Sequence, residues 1–462
     1  MENSKPSTHL IWESKIDKTK SLPGCTIREI ERIIVNPVFD NQSFWEQMEE
    51  AVGIDGEINN RYFYGDNYDL LQIMARTETE RKIDLIYIDP PYMTDLDYQS
   101  RISVGNASDI RHINRKAFPD TWESGLDSYL DMLYPRLQLM RQVLAENGSI
   151  FVHVDWHSSH YVKVLLDEVF GRENFINEIV WCYGGGGSSR KRFQRKHDLI
   201  FWYARSFDYT FNPQYRPYSP GTVQRGLTNV KGDRYKLNEK GALMQDWWVD
   251  INKILSPTAL ENLKFPTQKP KELIKRIILS ATHPGSLVAD FFAGSGTTAE
   301  VCNELDRNWI LVDSSKLALQ TSLYRLLRSG SPPFAIVTGE NCPEKDGHGK
   351  LVLKKPVFWE TDNNKCLIEI GIESYSPEPA NGRPSQDFAY DIEFWELDLN
   401  FNGEVFHSNY QVMREKQRFK APIALNLLIH VPLKESYKIA IKVYDVFANH
   451  TMEVQWVCPP RK

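Results

Sequence analysis

The sequence predicts an α/β protein with a doubly wound, mostly parallel sheet, a loop-rich insertion and a C-terminal β-rich domain. Strand-like and helix-like segments alternate between residues 61 and 155 and again between residues 269 and 313. In the insertion this alternation stops, and glycines stand beside basic residues. After residue 339, short runs of alternating polar and apolar residues are typical of antiparallel strands. Alternating strands and helices favour parallel pairing, because each helix returns the chain to the same edge of the sheet.

The length of the chain indicates several domains. Its 462 residues exceed the roughly 250 to 300 residues at which single hydrophobic cores stop growing. The predicted segments are an N-terminal segment (1–60), two halves of one α/β domain (61–180 and 266–338), the insertion between those halves (181–265) and the C-terminal domain (339–462).

The first half of the α/β domain reads as strand, helix, strand, helix, strand. "RYFYGD" (61–66) predicts a strand, "NYDLLQIMAR" (67–76) a helix and "IDLIYID" (83–89) a second strand. A long helix follows and ends at Gly148, and "SIFVHVD" (149–155) predicts a third strand.

The second half resumes the alternation of helices and strands after the insertion. It begins with the helix "KPKELIKRIILSATH" (269–283) and the strand "SLVAD" (286–290). The glycine-rich stretch "FFAGSGTTAEVCNELD" then leads to the strand "WILVD" (309–313). These elements would complete the sheet begun in the first half.

Composition and charge limit the possible classes of protein. With 41% hydrophobic and 25% charged residues, the chain is typical of an ordinary globular protein. A net charge of -6 predicts no overall attraction to polyanions, so any such site must be a local basic patch. The six cysteines form no C-x-x-C pair, and neither a zinc site nor a disulfide framework is indicated. Without a run of about 18 apolar residues or a signal peptide, we expect a cytoplasmic location and no membrane.

The first candidate site is "DPPY" (89–92), which ends the second predicted strand. Pro90 and Pro91 cannot donate hydrogen bonds to a neighbouring strand, so the strand stops and leaves Asp89 and Tyr92 at its end. The alternative is a simple turn, in which the acid starts the turn and the tyrosine packs.

The second candidate site is "DFFAGSGTTAEV" (290–301), between a strand and a helix. Gly294, Gly296 and Ala299 fit the pattern G-x-G-x-x-A, and Asp313 stands nineteen residues after Gly294 at the end of the next strand. This is also the dinucleotide-binding fingerprint, which leaves a nicotinamide-dependent oxidoreductase as an alternative. A purely structural alternative is a helix start capped by one of the threonines that follow.

The positions of the two motifs, taken together, help to decide between these alternative functions. Asp89 and Asp290 each end a predicted strand. In an open α/β sheet, ligands bind at the carboxyl ends of strands near the point where neighbouring strands send their loops apart. If these two strands are neighbours, both motifs face one cleft.

The sequence here resembles the amino-methylating DNA methyltransferases. Their catalytic motif is Asp/Asn/Ser-Pro-Pro-Tyr/Phe/Trp, and their S-adenosylmethionine loop is similar to "DFFAGSGTT". The order of catalytic motif, insertion and cofactor loop is similar to that of the permuted β class. "FINEIVWCYGGGGSSRKRFQRKHDLIFWYARS" and "PTQKPKELIKRIILSATHPG" also resemble segments of modification subunits of Type III restriction systems. The resemblance covers roughly residues 61 to 335 and implies a Rossmann-like methyltransferase fold, with residues 181–265 recognising the target.

The resemblance implies roles for individual residues. The catalytic residues would be Asp89, Pro90, Pro91 and Tyr92, and the cofactor would be S-adenosylmethionine. The residues implied to border the cofactor are Asp66, Lys269, Asp290, Phe292, Gly294, Gly296 and Asp313. Double-stranded DNA is the implied substrate, and a homodimer and a restriction or helicase subunit are the partners to be considered.

The chemistry of amine methylation accounts for the first motif independently. An exocyclic amine is a poor nucleophile because its lone pair is delocalised into the base, so a site must accept hydrogen bonds from its N–H groups. Asp89 and the Pro90 carbonyl can act as such preorganised acceptors. Tyr92 offers a stacking face for a base taken out of the duplex. No metal is required. We expect the target to be the N6-amino group of adenine, with the N4-amino group of cytosine as the alternative.

A run of basic residues in the insertion is the candidate DNA contact. The residues expected to contact phosphates are Arg190, Lys191, Arg192, Arg195 and Lys196. An ordinary solvated loop is the alternative for any such run. A DNA-binding specificity subunit without activity is a further alternative, although the intact "DPPY" favours an enzyme.

Overall fold

The computed structural model describes most of the chain. The described residues are 9–15, 26–39, 58–77, 82–106, 108–185, 189–226, 237–257, 259–339, 349–360, 365–378, 384–414 and 418–459. Much of the predicted N-terminal segment, three residues of the glycine-rich run (186–188) and most of the linker after residue 339 lie outside the described residues.

The described part of the chain contains seven α-helices and twenty-four strands. The helices are α1 (Asn67–Arg76), α2 (Leu126–Val143), α3 (Ser159–Phe170), α4 (Pro220–Gly226), α5 (Lys271–Ala281), α6 (Thr297–Glu304) and α7 (Lys316–Arg328). The strands up to the end of the insertion are β1 (Ile27–Ile33), β2 (Pro37–Phe39), β3 (Asn60–Tyr64), β4 (Ile83–Ile88), β5 (Leu96–Val104), β6 (Arg111–Asp120), β7 (Leu144–Val154), β8 (Phe175–Cys182), β9 (His197–Ala204), β10 (Tyr215–Arg216), β11 (Ala242–Leu243) and β12 (Trp247–Trp248). The later strands are β13 (Leu287–Asp290), β14 (Asn308–Asp313), β15 (Phe334–Gly339), β16 (Lys350–Leu353), β17 (Val357–Glu360), β18 (Lys365–Ser376), β19 (Ile392–Asp398), β20 (Phe406–Ser408), β21 (Tyr410–Met413), β22 (Asn426–Pro432), β23 (Tyr437–Asp445) and β24 (His450–Val457).

A central eleven-stranded sheet organises the molecule. Its strand order is β12-β8-β9-β7-β4-β13-β14-β3-β15-β1-β20. The six strands from β7 to β15 in this order run parallel to one another. The predicted α/β class with a doubly wound, mostly parallel sheet is therefore confirmed.

The strands of the second half lie between strands of the first half. Strand β13 pairs with β4, which places Asp290 beside Tyr87, and β14 pairs with β3, which places Asp313 beside Tyr64. The strands that end in the two predicted motifs are therefore neighbours, as the sequence required for a shared cleft. Because all four strands are parallel, their carboxyl ends open on the same edge of the sheet.

Helices cover both faces of this sheet. On one face, α1, α2 and α3 bury residues such as Leu71, Leu137 and Val162. On the other face, α5 and α7 bury residues such as Leu273 and Leu323. The apolar residues of α5 recur at positions 273, 274, 277 and 278, which is the spacing of one face of a helix. No helix within the described residues is long and apolar enough to span a bilayer.

The predicted insertion extends the central sheet. Its predicted start at residue 181 falls inside β8, and β9 pairs with both β8 and β7. Phe201, Trp202 and Tyr203 of β9 are all buried. These aromatic side chains therefore belong to the core of the sheet.

A long hairpin formed by β5 and β6 follows the "DPPY" motif and was not predicted from the sequence. It packs against the C-terminal part of the chain, where strands β16 to β24 form two smaller sheets, apart from β20, which joins the central sheet. The N-terminal strands connect these parts, because β1 joins the central sheet and β2 joins a C-terminal sheet.

Candidate active site

A cavity of about 250 Å³ opens at the carboxyl ends of β3, β4, β13 and β14. Six predicted cofactor residues and two predicted catalytic residues line it, namely Asp66, Lys269, Asp290, Phe292, Gly294, Asp313, Asp89 and Pro91. The structure therefore brings together in one cavity residues that are separated by up to 247 positions in the sequence.

The predicted catalytic motif follows β4 directly, so Asp89 lies at the end of a buried strand. Both of its carboxylate oxygens have partners. The Tyr92 hydroxyl donates to Oδ1, and the Lys269 ammonium forms an ion pair with Oδ2. The same ammonium lies 5.2 Å from the centre of the Tyr92 ring. The predicted cofactor residue Lys269 thus contacts the predicted catalytic acid.

Asp120, at the end of β6, holds the backbone that follows the prolines. Its carboxylate accepts hydrogen bonds from the amides of Tyr92, Met93 and Thr94 at 3.2, 2.9 and 2.9 Å. The Thr94 hydroxyl and the Trp122 indole N–H also donate to it, at 2.6 and 2.9 Å. Met93 has a φ of 65°, a conformation that costs energy in a residue other than glycine. The Asp120 carboxylate is therefore the acceptor that holds this loop in place.

The glycine-rich loop is tied to the ends of two strands. Asp290 accepts hydrogen bonds from the Phe292 amide at 3.1 Å and from the Thr298 hydroxyl at 2.5 Å. The Gly294 amide donates to Asp313 Oδ2 at 2.9 Å, which closes the loop against β14. Gly294 has a φ of 51°, and a Cβ atom there would lie 3.1 Å from the Phe265 ring. Glycine suits this position because it accepts the left-handed conformation beside that ring.

Gly296 serves a contact between helices. It precedes α6 with a φ of 72°, and an added Cβ atom would lie 2.7 Å from the hydroxyl oxygen of Ser322 on α7. Gly296 does not line the cavity among the described residues, and neither do Pro90 and Tyr92.

The acids of the cavity differ in their electrostatic environment. Burial raises the pKa of Asp290 to about 7, against the lowering effect of its two hydrogen bonds, and the charges of Asp89 and Asp313 raise it further. Burial also raises the pKa of Asp313 to about 6, although the amides of Ser315 and Gly294 lower it. Asp66 lies at the rim, where it caps α1 and pairs with Arg136 at 2.7 Å. The concentration of carboxyl groups favours a cationic ligand.

The donors and acceptors of the cavity fit S-adenosylmethionine. Its sulfonium and amino groups are positive and suit a lining that contains Asp89, Asp290 and Asp313. Lys269 would supply a cationic partner for its carboxylate, and Phe265 and Phe292 would offer aromatic surfaces to its adenine. The close approach of the Phe265 ring to Gly294 makes one wall of the cavity flat and apolar.

The basic loop lies on the other side of the catalytic motif from the cofactor loop. Strand β7 adjoins β4 on the side away from β13, and Trp156 follows the end of β7. The guanidinium of Arg195 lies 3.3 Å from the centre of the Trp156 ring, which is 41% exposed. Arg190, Lys191 and Arg192 are also exposed, whereas Lys196 donates to the carbonyl of Gly185 inside the loop.

A buried histidine lies behind the catalytic motif. His153 Nδ1 lies 3.1 Å from the Tyr87 hydroxyl, and Nε2 lies 3.3 Å from Asp198. Its ring stacks on Tyr92 with the ring centres 6.1 Å apart. Burial opposes the charge of Asp198, but its interactions with His153 lower the pKa of Asp198 to about 2. This network supports the position of Tyr92.

Sequence reasoning missed Asp120, His153, Trp156 and Phe265. None of them belongs to a short motif, and each reaches the site because of strand pairing or a loop from a distant segment. The sequence carries one signal for them. "SIFVHVD" is the next predicted strand after the one that ends in "DPPY", so polar residues near its end were candidates for the same edge of the sheet as Asp89.

Comparison with known proteins identifies relatives of this chain. The type II methyltransferase M.EcaI of Enterobacter cloacae is 26% identical over 336 residues, covering 59% of this chain and 70% of that protein. M.HpaI of Haemophilus parainfluenzae is 28% identical, covering 54% of this chain and 69% of that protein. The StyLTI Mod subunit, a Type III restriction-modification enzyme subunit of Salmonella typhimurium, is 24% identical, and the match spans 54% of this chain and half of that subunit.

Two solved structures illustrate the similarity of this chain to known structures. The M1.HpyAVI-SAM complex is 20% identical, covers 58% of this chain and 98% of that chain, and has a TM-score of 0.38. The PvuII DNA methyltransferase, described as cytosine-N4-specific, is 18% identical, covers 59% of this chain and 90% of that chain, and has a TM-score of 0.37.

The family assignment rests on the sequence profile of the DNA methylases, which matches residues 83–323. This range contains both predicted motifs and the whole insertion, and it excludes a nicotinamide-dependent oxidoreductase as an interpretation of the glycine-rich loop. The predicted resemblance, enzyme class and cofactor are thereby confirmed. Because the match extends over more than half of the chain, the protein belongs to the DNA methylase family of N6 and N4 methyltransferases, which use S-adenosylmethionine.

Proposed function

We propose that this enzyme transfers the methyl group of S-adenosylmethionine to the N6-amino group of adenine at a specific DNA sequence, as part of a restriction-modification or related system. One observation carries the proposal. The "DPPY" motif and the glycine-rich loop follow neighbouring parallel strands, β4 and β13, and Asp89 and Asp290 line the same cavity. The reacting amine and the methyl donor would therefore meet at the edge where the two loops separate.

The proposed catalytic roles follow from the contacts. Asp89 and the Pro90 carbonyl accept hydrogen bonds from the target amine, and Pro91 keeps the turn rigid. Tyr92 stacks on the extrahelical base, with His153 supporting its ring from within the core. The cofactor, when bound, supplies an electrophilic methyl group, and the protein residues align the amine with it.

The proposed cofactor residues contact different parts of the cofactor. Asp290, Phe292, Gly294 and Asp313 form the wall at the ends of β13 and β14, where Asp313 would accept a hydrogen bond from a ribose hydroxyl. Asp66 borders the rim, Lys269 faces the methionine part, and Gly296 supports the loop from its contact with α7. The deep carboxyl groups give the cavity its preference for a positive ligand.

The proposed DNA-binding surface is the side of the site formed by the end of β7 and the start of β9. Arg190, Lys191, Arg192 and Arg195 are exposed there and would contact phosphates, whereas Lys196 would order the loop. Residues 181–265 would supply target recognition. The C-terminal domain, a homodimer and a restriction or helicase subunit complete the proposed assembly, which would act on DNA in the cytoplasm.

The N4-amino group of cytosine is the second candidate target. It is supported by the family profile, which includes both kinds of enzyme. Both amines can use an acid-Pro-Pro-aromatic site, so the modified nucleoside itself must be identified.

The experiment is methyl transfer followed by nucleoside analysis. Purified enzyme is incubated with methyl-labelled S-adenosylmethionine and mixed-sequence duplex DNA, and the DNA is digested and analysed by mass spectrometry. We expect labelled N6-methyladenine, and labelled N4-methylcytosine would instead establish the second candidate. Asp89→Ala should lower the single-turnover rate by roughly a hundredfold, the scale of losing one preorganised electrostatic group.

The matched control for this experiment is Asp97→Ala. Asp97 is an exposed acid on β5. Transfer by Asp97→Ala should equal that of the unmodified enzyme. Transfer by Asp89→Ala at the same rate as the control would contradict the catalytic assignment.

A further inference from the structure

We infer that Lys269 couples cofactor binding to the catalytic acid, because its ammonium group serves Asp89 and the carboxylate of the cofactor in competition. This inference rests on the proposed function and assigns Lys269 a positioning role as well as a binding role. It follows from the contacts of one side chain and from the charges of the cavity around it.

The contacts of Lys269 place its ammonium group between the "DPPY" motif and the cofactor cavity. The group forms an ion pair with Asp89 Oδ2, lies 3.4 Å from the Thr267 carbonyl and lies 5.2 Å from the centre of the Tyr92 ring. The side chain is 10% exposed, so most of it is held within the protein. Because Lys269 also lines the cavity, one ammonium group faces both the catalytic motif and the ligand space.

The backbone that carries Lys269 is fixed. The Gln268 side chain accepts a hydrogen bond from the Leu263 amide at 3.0 Å and donates to the Glu261 carbonyl at 2.5 Å. Pro270 then starts α5, which is packed in the core through Leu273. The ammonium group can therefore change partner only by rotation of its own side chain.

The charges of the cavity leave few partners for an anionic group. Among the described residues that line it, the carboxyl groups come from Asp66, Asp89, Asp290 and Asp313, and the cations are Lys269 and Arg136. Arg136 donates to Asp66 at 2.7 Å and to the Asn67 side chain at 2.5 Å, near the rim. A ligand carboxylate beside Asp89 and Asp290 would be repelled unless the Lys269 ammonium turned toward it.

The consequence is a link between the two substrates. When the ammonium group turns toward the cofactor carboxylate, Asp89 Oδ2 becomes available to an N–H group of the target amine. The shift also moves a positive charge away from the amine, on which positive charge develops during transfer. Asp89 and the cofactor thus compete for Lys269, and removing Asp89 should strengthen cofactor binding through Lys269.

The test is a double-mutant cycle on binding. The affinity for S-adenosylhomocysteine, which retains the carboxylate, is measured by calorimetry for the unmodified enzyme, Asp89→Ala, Lys269→Met and the double variant. We expect Asp89→Ala to bind at least about fivefold more tightly, the lower end of typical coupling between sites. Lys269→Met should bind about tenfold more weakly, and Asp89→Ala should strengthen binding less in the Lys269→Met background than in the unmodified enzyme, because only the direct repulsion is then relieved.

A second ligand and a control variant isolate the carboxylate. 5′-Methylthioadenosine lacks the amino acid part, so its affinity should be the same within about twofold in all four proteins, which also verifies that the variants are folded. Lys275→Met removes a lysine of α5, the helix that begins just after Lys269, at a position outside the cavity, and this variant should bind both ligands normally.

The outcomes separate this inference from the proposed function. Independent effects of the two substitutions, or equal effects on both ligands, would overturn the coupling through Lys269 while leaving the methyltransferase proposal intact. Failure of the unmodified enzyme to bind S-adenosylhomocysteine would instead overturn the proposed function.

Discussion

Asp120 holds the backbone at the end of the "DPPY" motif although it lies outside that motif. Its buried carboxylate accepts five hydrogen bonds, three of them from consecutive backbone amides. A charged acceptor that satisfies several backbone amides fixes a loop that has no regular secondary structure of its own. Asp120 also connects the motif to β6, because it is the last residue of that strand.

We expect Asp120→Ala to impair catalysis through this loop. Each lost hydrogen bond to a charged acceptor costs about 1.5 to 3 kcal/mol when its donor stays buried, and Met93 would leave its left-handed conformation. The single-turnover methyl-transfer rate should fall at least about tenfold at saturating DNA and cofactor, with a lower melting temperature. Asp97→Ala on the same hairpin is the control. A full transfer rate in Asp120→Ala would show that the catalytic motif keeps its conformation without this support.

The two loop glycines differ in what surrounds them in the structure. The sequence predicted that Gly294 and Gly296 allow a ligand to approach the backbone. Gly294 lines the cavity, in keeping with that reason. Gly296 has a different constraint, since its missing side chain makes room for Ser322 of α7. Sequence alone could not distinguish the two, because α7 reaches the loop only after the sheet has formed.

Several strands of the central sheet could be predicted because each carries its own signal in the local sequence. Strands β4, β13 and β14 were all predicted from short apolar runs that end in an acid. The β5–β6 hairpin was missed because its buried residues, such as Ile102 and Ile113, face the C-terminal domain. Their partner Phe419 lies about 300 positions later in the chain, so no local pattern reports the contact.

The basic loop between β8 and β9 is the element on which DNA affinity should depend. The Arg192→Ala, Arg195→Ala double variant should bind DNA more weakly whatever the sequence, because it loses two phosphate contacts. The plot of log affinity against log salt should become shallower by up to about 2, since each neutralised phosphate contributes about 0.9. Fluorescence anisotropy at several salt concentrations measures this change. The affinity for S-adenosylhomocysteine should stay the same.

A charge-matched control tests whether the position of the removed charges matters for DNA binding. Lys350 and Lys355 are exposed lysines of the C-terminal domain, and changing both to alanine removes the same charge. If this control weakened DNA binding as much as the loop variant, net charge alone would account for the effect. If the loop variant bound DNA normally at low salt, the loop would be an ordinary solvated segment.

At the scale of the whole molecule, a buried ionic network joins the methyltransferase domain to the C-terminal domain. Glu393 of β19 is fully buried and pairs with Arg115 of β6 at 3.2 Å and with Arg418. It also accepts a hydrogen bond from Gln320 of α7 at 2.9 Å. The hairpin, one helix and a C-terminal sheet thus meet at one carboxylate. Phe118 and Pro119 of the same hairpin line the cofactor cavity, so this network reaches the active site.

We expect Glu393→Gln to destabilise this junction. Through the hairpin, it should also disturb the wall of the cofactor cavity. Arg115 stays charged at neutral pH, because burial lowers its pKa only to about 10, so the substitution leaves two cations in a buried position without their partner. Breaking a buried ion pair in this way costs about 3 kcal/mol or more, which urea denaturation should report as a lower free energy of unfolding. S-Adenosylhomocysteine should also bind several-fold more weakly, since β6 carries part of the cavity wall. Glu404→Gln, at an exposed position of the same domain, should change stability by less than about 0.5 kcal/mol. If Glu393→Gln proved as stable as this control, the hairpin would be held by its apolar contacts alone, and the C-terminal domain would have no electrostatic link to the active site.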